Sequence, residues 1–183
     1  LERAGYLPNY GNLKTSNIIA WQLGHKFVDE NGEINLNSKE MNDSFLWIKS
    51  FIHEIGLKKV LELMGTFGTG LQHGFISGKV SMMILDSSYP EIIEKYKPDF
   101  QYGVIPIPSY GDSKPISSAG IWWLGIPRGV KDPKKSWDFI SFLAGEKNQI
   151  DYQKRTEESL FSANKYVAYQ ENSVSIPYYD VFL

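Results

Sequence analysis

The side chains with most to offer a ligand in this chain are rings, not acids or nucleophiles. Trp21, Tyr89, Trp122 and Trp123 each fall at a loop or at the end of an element in the hydropathy pattern. Flat rings in such places suit a partner with a C–H face, and planar polar side chains beside them suit its hydroxyls. A sugar has both. Asp86 and Ser87, just ahead of Tyr89, supply polar groups of that kind. Asp86, Ser87 and Ser88 are equally competent caps for a following helix. The default role of any one tryptophan is core packing, and Trp47 and Trp137, inside regular helical patterns, are assigned to it. Trp122 and Trp123 are neighbours in an extended run, so they face opposite ways and at most one faces a given side.

Other chemistries are poorly served. Gly111-Asp112-Ser113-Lys114-Pro115 echoes a nucleophile elbow but ends in proline and lacks the strand–turn–helix frame, so it reads as a surface turn. Ser77-Gly78-Lys79-Val80-Ser81 lacks the leading strand and glycine of a phosphate loop. His25, His53 and His73 are scattered, without the three- or four-residue pairing of a zinc site. His53 sits near a helix end, where its cation would suit the dipole. Glu157 and Glu158 are adjacent, point in different directions on a helix, and read as a solvated face. Cysteine is absent, which removes disulfides, thiol catalysis and cysteine–metal sites. The net charge of -2, with Lys and Glu interleaved, offers no bulk attraction to nucleic acid. No apolar run reaches membrane-spanning length. No cofactor is implied.

The elements that must position these groups follow from periodicity and punctuation. The chain has 183 residues, of which 42% are hydrophobic and 22% charged, enough for a real core. Residues 1–15, rich in turn formers, read as a loop. Residues 16–23 read as a helix stopped by Gly24, and 29–32 as a turn. Asn37, with Glu40 three residues on, predicts a capped helix start. Met41, Phe45, Ile48 and Ile52 predict one buried stripe ending at Gly56. Residues 65–70 read as a loop and 71–76 as a short helix. Residues 80–85, an apolar run interrupted only by Ser81, read as a doubly covered strand. Residues 90–96 read as a short helix. Further strands are expected at 102–107, where Pro106 and Pro108 demand an edge or a chain crossing, and at 121–126. Asp132 and Pro133 open a helix with an apolar face of Trp137, Phe139, Ile140 and Leu143, ended by Gly145. Residues 173–183 read as irregular. Alternation of strands and helices means α/β architecture.

In order and spacing, GFISGKVSMMIL, YGVIPIPS, GIWWLGIPRG and KKSWDFISFLAGEKNQ resemble extracellular solute-binding proteins of ABC importers. Specifically, they look like the carbohydrate-binding family that includes maltose-binding protein. Residues 24–33, Asn35-Leu36-Asn37-Ser38 and the helical run to Gly56 fit the same family, and the likeness covers most of residues 1–168. It implies an α/β, periplasmic-binding-protein-like (type II) two-lobed fold, present here only in part. The chain opens on Leu1-Glu2-Arg3 without a signal peptide or a counterpart of the family's first half-lobe, so it is expected to be the carboxyl-side portion. Residues 1–101 and 150–183 would form most of one ligand-binding lobe. Residues 106–148 would cross the hinge and join the other.

The resemblance implies a role in capturing a sugar or oligosaccharide outside the cell or in the periplasm, with ABC permease subunits as partners. The family often has Gly-x-Trp after the 80–85 strand. Here Leu85-Asp86-Ser87-Ser88-Tyr89 puts Tyr89 roughly where that ring would be. Its cleft-lining Gly-Gly-aromatic segment corresponds to Ala119-Gly120-Ile121-Trp122-Trp123, with the second glycine altered. Two other readings stay open: a carbohydrate-active α/β enzyme using Asp86 and Glu91 as paired carboxylates, or a sensor or adhesion module on the same fold. The apolar residues of 117–145 are expected to make the isolated piece self-associate or hold that segment loosely.

Overall fold

The computed structural model describes residues 1–97, 99–155, 161–168 and 178–182. The chain divides into two units, Leu1–Ser118 with Asp180–Leu183, and Ala119–Tyr179.

The first unit is built on two parallel strands, β1 (Ala4–Gly11) and β2 (Val80–Ile84). Ala4 pairs with Val80 and Tyr6 with Met82; an irregularity follows before Gly11 pairs with Ile84. The expected loop over 1–15 is therefore largely a strand. Its turn formers are absorbed where the ladder is broken: Pro8 has no N–H to give, and Asn9 takes a positive φ of 59°. The ladder that overrides them comes from a segment more than seventy residues away, beyond the reach of local propensity. Gly11 is required at the strand exit. Its φ is 131°, and a Cβ there would lie 2.5 Å from the Ile84 carbonyl oxygen.

Helix α1 (Thr15–Gln22) follows and buries Ile18, Ile19 and Ala20. Helix α2 (Lys39–Ile55) starts one residue later than expected. Ser38, not Asn37, is the cap: its Oγ accepts from the Met41 N–H at 3.1 Å. Asn37 Oδ1 instead accepts from the Asn42 side chain. The stripe is also rotated. Met41, Ser44 and Ile48 are buried, whereas Phe45 is 52% exposed. The small Ser44 occupies the helix-packing position, its hydroxyl turned onto the Met41 carbonyl at 2.7 Å, and the bulkier neighbour is left outside. Gly56, at φ 96°, ends α2 and at once begins α3 (Leu57–Met64), which the periodicity did not reveal. Val60 and Leu63 of α3 join Ala4, Leu7 and Val80 in the core, with Tyr10, Ile52, Ile55, Phe67 and Met83 packed against them.

A single 3-10 turn at Gly70–Gln72 stands where a helix over 71–76 was expected. Helix α4 (Tyr89–Tyr96) follows β2 and buries Pro90 and Ile93. The strand expected at 102–107 does not form. Among the described residues no strand lies alongside it, and an unpaired extended run has nowhere to place its backbone groups.

In the second unit the strand expected at 121–126 is absent for the same reason. Helix α5 (Pro133–Ala144) is capped as its sequence requires, with Asp132 Oδ1 accepting from the Lys135 N–H at 3.1 Å. Helix α6 (Glu146–Arg155) closes the end of α5: Asn148 and Gln149 donate their side-chain amides to the Phe142 and Leu143 carbonyls, at 2.6 and 2.7 Å. Val167 of α7 (Lys165–Ala168) is fully buried. No residue of α5 is buried. Ile140 and Leu143 are half-covered, and Phe139 is 61% exposed. Trp137, assigned to the core, is 60% exposed. A helical apolar stripe requires a partner, and the described part of this unit covers only one edge of it. A short helix, α8 (Tyr179–Phe182), ends the described chain. Glu157, Glu158 and residues 173–177 lie outside the described residues.

Candidate ligand-binding site

In sheets of parallel strands, ligands sit outside the carboxyl ends. Here those ends are Gly11-Asn12 after β1 and Leu85-Asp86-Ser87-Ser88 after β2. Asp86 ties the two exits together. Its Oδ2 accepts from the Asn12 side-chain amide, and its Oδ1 accepts from the Ser88 N–H at 3.0 Å and the Ser88 hydroxyl at 2.5 Å. The second pair forms an Asx turn that aims the chain into α4. Ser87 is half-buried inside that turn.

Tyr89, the first residue of α4, ends a column of rings. Its hydroxyl is 3.0 Å from His73 Nε2, and the two rings are 5.1 Å apart. His73 stacks on Tyr10 at 5.8 Å and 23°, and Tyr10 lies 4.8 Å from Phe67. The Tyr10 hydroxyl accepts from the Gly74 N–H at 3.0 Å. Glycine is required at 74, since a Cβ would lie 2.8 Å from that hydroxyl and 3.1 Å from Val80 Cγ2. Burial holds the His73 pKa below its usual value and so favours the neutral ring. Burial, then the nearby Tyr10 and Asp86, push the Tyr89 hydroxyl up, so it keeps its proton.

Three expected site residues, Asp86, Ser87 and Tyr89, thus share one location. Trp21 is half-buried on α1 in a separate cluster, edge-on to Phe27 at 5.7 Å, which is itself edge-on to the buried His25 at 4.5 Å. Trp122 and Trp123 belong to the second unit and are 92% and 84% exposed. Tyr10, Asn12, Phe67 and His73 were not singled out by their sequence. Tyr10 and Asn12 were hidden in a stretch read as loop, and nothing local to His73 signals that Tyr10 and Tyr89 flank it.

A recess of about 370 Å³, open to solvent, lies elsewhere and is lined by Leu23, Asp43, Leu46, Trp47, Ser50 and Tyr110. Trp47, assigned to the core, is half-buried and meets Tyr110 edge-on at 6.3 Å. Buried Gln22 holds Tyr110 there. Its Nε2 donates to the Pro108 carbonyl at 3.0 Å, and its Oε1 accepts from the Tyr110 N–H at 2.9 Å.

The strand ends bring together aromatic rings, a hydrogen-bonded carboxylate and an amide. Among the described residues no group of three or more acidic or histidine side chains is placed to hold a metal. Gly111, at φ 55°, sits in the surface turn read from its sequence, and the segment at 77–79 leads into β2. In a parallel α/β sheet, side chains beyond the strand ends are where ligands of binding proteins and enzymes alike are met. Residues 8–150 match the family described as bacterial extracellular solute-binding protein, and the chain belongs to that family. In solved structures it is similar to CpMnBP1 with mannobiose bound, with a TM-score of 0.69 and 23% identity over 98% of this chain and 46% of that one. The chain therefore spans less than half the length of CpMnBP1. At this identity the likeness establishes the solute-binding fold. No curated protein matches the chain.

Proposed function

We propose that this chain is part of the substrate-capturing component of an ABC importer, and that it binds a sugar or oligosaccharide outside the ends of β1 and β2. The carrying observation is the ring column that ends at Tyr89 beside the Asp86–Asn12 pair, in a chain of the solute-binding family. Tyr89 would stack on a sugar face, while Asp86, Ser87 and Asn12 would meet its hydroxyls. Trp21, Trp122 and Trp123 are proposed as further contacts. Residues 1–101 and 150–183 are proposed as most of one lobe, and 106–148 as the hinge crossing and entry to the other. Ligand would shift an open–closed equilibrium between lobes, and permease subunits would read the closed form. The extracellular face of the membrane, or the periplasm, is the proposed location. Mannobiose, the sugar in CpMnBP1, is the natural first probe. Capture rather than catalysis is favoured by the solute-binding family that residues 8–150 match. Calorimetry on the full-length protein against mono- and oligosaccharides, polyamines and phosphate esters tests this reading. Sugar binding is expected; a response to polyamines or phosphate esters with none to sugars would overturn it.

A further inference from the structure

The Tyr89–His73 contact is symmetric in distance but not in consequence. Either atom of the 3.0 Å pair between Tyr89 Oη and His73 Nε2 could be the donor. The other ring nitrogen breaks the symmetry. His73 Nδ1 is buried and has no hydrogen-bond partner among the described residues. A neutral imidazole carries one N–H. If Nδ1 held it, an unpaired N–H would be buried. If Nε2 holds it, Nδ1 keeps only a lone pair. Orphaned buried N–H groups are rarer in proteins than under-used acceptors.

We infer that His73 donates from Nε2 to the Tyr89 oxygen and thereby leaves the Tyr89 O–H as a donor to the ligand. His73 is then a positioning residue that sets the polarity of the binding surface. The groups around it agree. Tyr10 covers the other face of the imidazole, and its hydroxyl is taken by the Gly74 N–H. The nearby carboxylate of Asp86 is held by Asn12 and Ser88. No described side chain accepts from the Tyr89 hydroxyl besides the His73 contact. The Tyr89 O–H is then free to donate to a ligand acceptor: a hydroxyl, ring or glycosidic oxygen. An ammonium group, which can only donate, cannot take that proton. This inference rests on the ligand site proposed above and specifies its chemistry.

Nitrogen NMR of the histidines in the ligand-free, full-length protein at pH 7.5 reads the tautomer directly and needs no ligand. A proton on His73 Nε2 is expected; a proton on Nδ1 overturns the inference. Calorimetry with mannobiose then tests the consequence. Tyr89→Phe, which keeps the ring, and His73→Phe, which keeps the stack, should each weaken binding about three- to tenfold. His73→Gln, whose amide replaces the Nε2–H, should recover most of that loss. Unchanged affinity in Tyr89→Phe or His73→Phe would overturn the inference. If the unaltered protein binds none of the sugars tested, the ligand reading fails, and the NMR result alone decides the tautomer.

Discussion

Two ring-rich regions of this chain behave in opposite ways. At the strand ends of the first unit, Phe67, Tyr10, His73 and Tyr89 each touch the next ring, and hydrogen bonds fix Tyr10 and Tyr89 at their tips. In the second unit, Trp122, Trp123, Trp137 and Phe139 are all mostly exposed. Composition is alike; context is not. The first set is assembled by β1 and β2, which bring distant segments within one hydrogen-bonded ladder. The second lies on irregular backbone and on a helix with no buried residue. In the first unit, backbone pairing between β1 and β2 is what carries Tyr10 to the ring column.

The comparison can be broken first at the core beneath the ring column. Leu7 is 1% exposed. Leu7→Ala should cost about 2–5 kcal/mol in urea unfolding, through lost burial and a residual cavity. A loss below about 1 kcal/mol would mean that the first unit is no better packed than the second. Next, Tyr89→Ala should weaken sugar binding by the full-length protein by about 1–3 kcal/mol. Running Trp122→Ala beside it sharpens the contrast, since an equal loss brings the exposed ring to the ligand and no loss leaves it as apolar surface.

A smaller effect concerns pH. Burial depresses the His73 pKa in the folded state. The unfolded chain therefore binds the proton more tightly, and the contribution to stability is present above the unfolded value of about 6.5 and lost as pH falls below it. The urea midpoint should fall more steeply between pH 7 and 5 in the unaltered protein than in His73→Phe. Parallel curves would return His73 to an ordinary solvated histidine. The smallest change is expected for Phe45→Ala, about 1 kcal/mol or less, because the ring is 52% exposed. A loss matching that of Leu7→Ala would restore Phe45 to the buried stripe.

Local signals were readable wherever one segment decides its own fate. Gly24, Gly56, Asp132 with Pro133, and Gly145 mark helix limits through backbone chemistry that needs no partner. The start of α4 was equally plain, and with it Asp86, Ser87 and Tyr89. What could not be read depends on tertiary choice. Asn37 and Ser38 are both able caps, and Ser38 alone also bonds His25, 2.8 Å away. Ser44 and Phe45 are one residue apart, and only the packing partner selects which faces inward. Strand β1 was masked by Pro8 and Asn9, and with it Tyr10 and Asn12. The apolar runs at 102–107 and 121–126 have strand composition but no ladder.

The Gln22 clamp has a consequence for how this chain can change over generations. Both of its bonds go to backbone, the Pro108 carbonyl and the Tyr110 N–H. The grip is therefore indifferent to the side chain at Ser109, which is exposed. Substitutions there can accumulate without loosening the segment from α1. Gln22 itself has no such freedom: Glu could not donate to a carbonyl, and Leu would leave two backbone groups without partners. One fixed amide makes a neighbouring position free to drift, and new surface chemistry can be tried there while the path of the chain is kept.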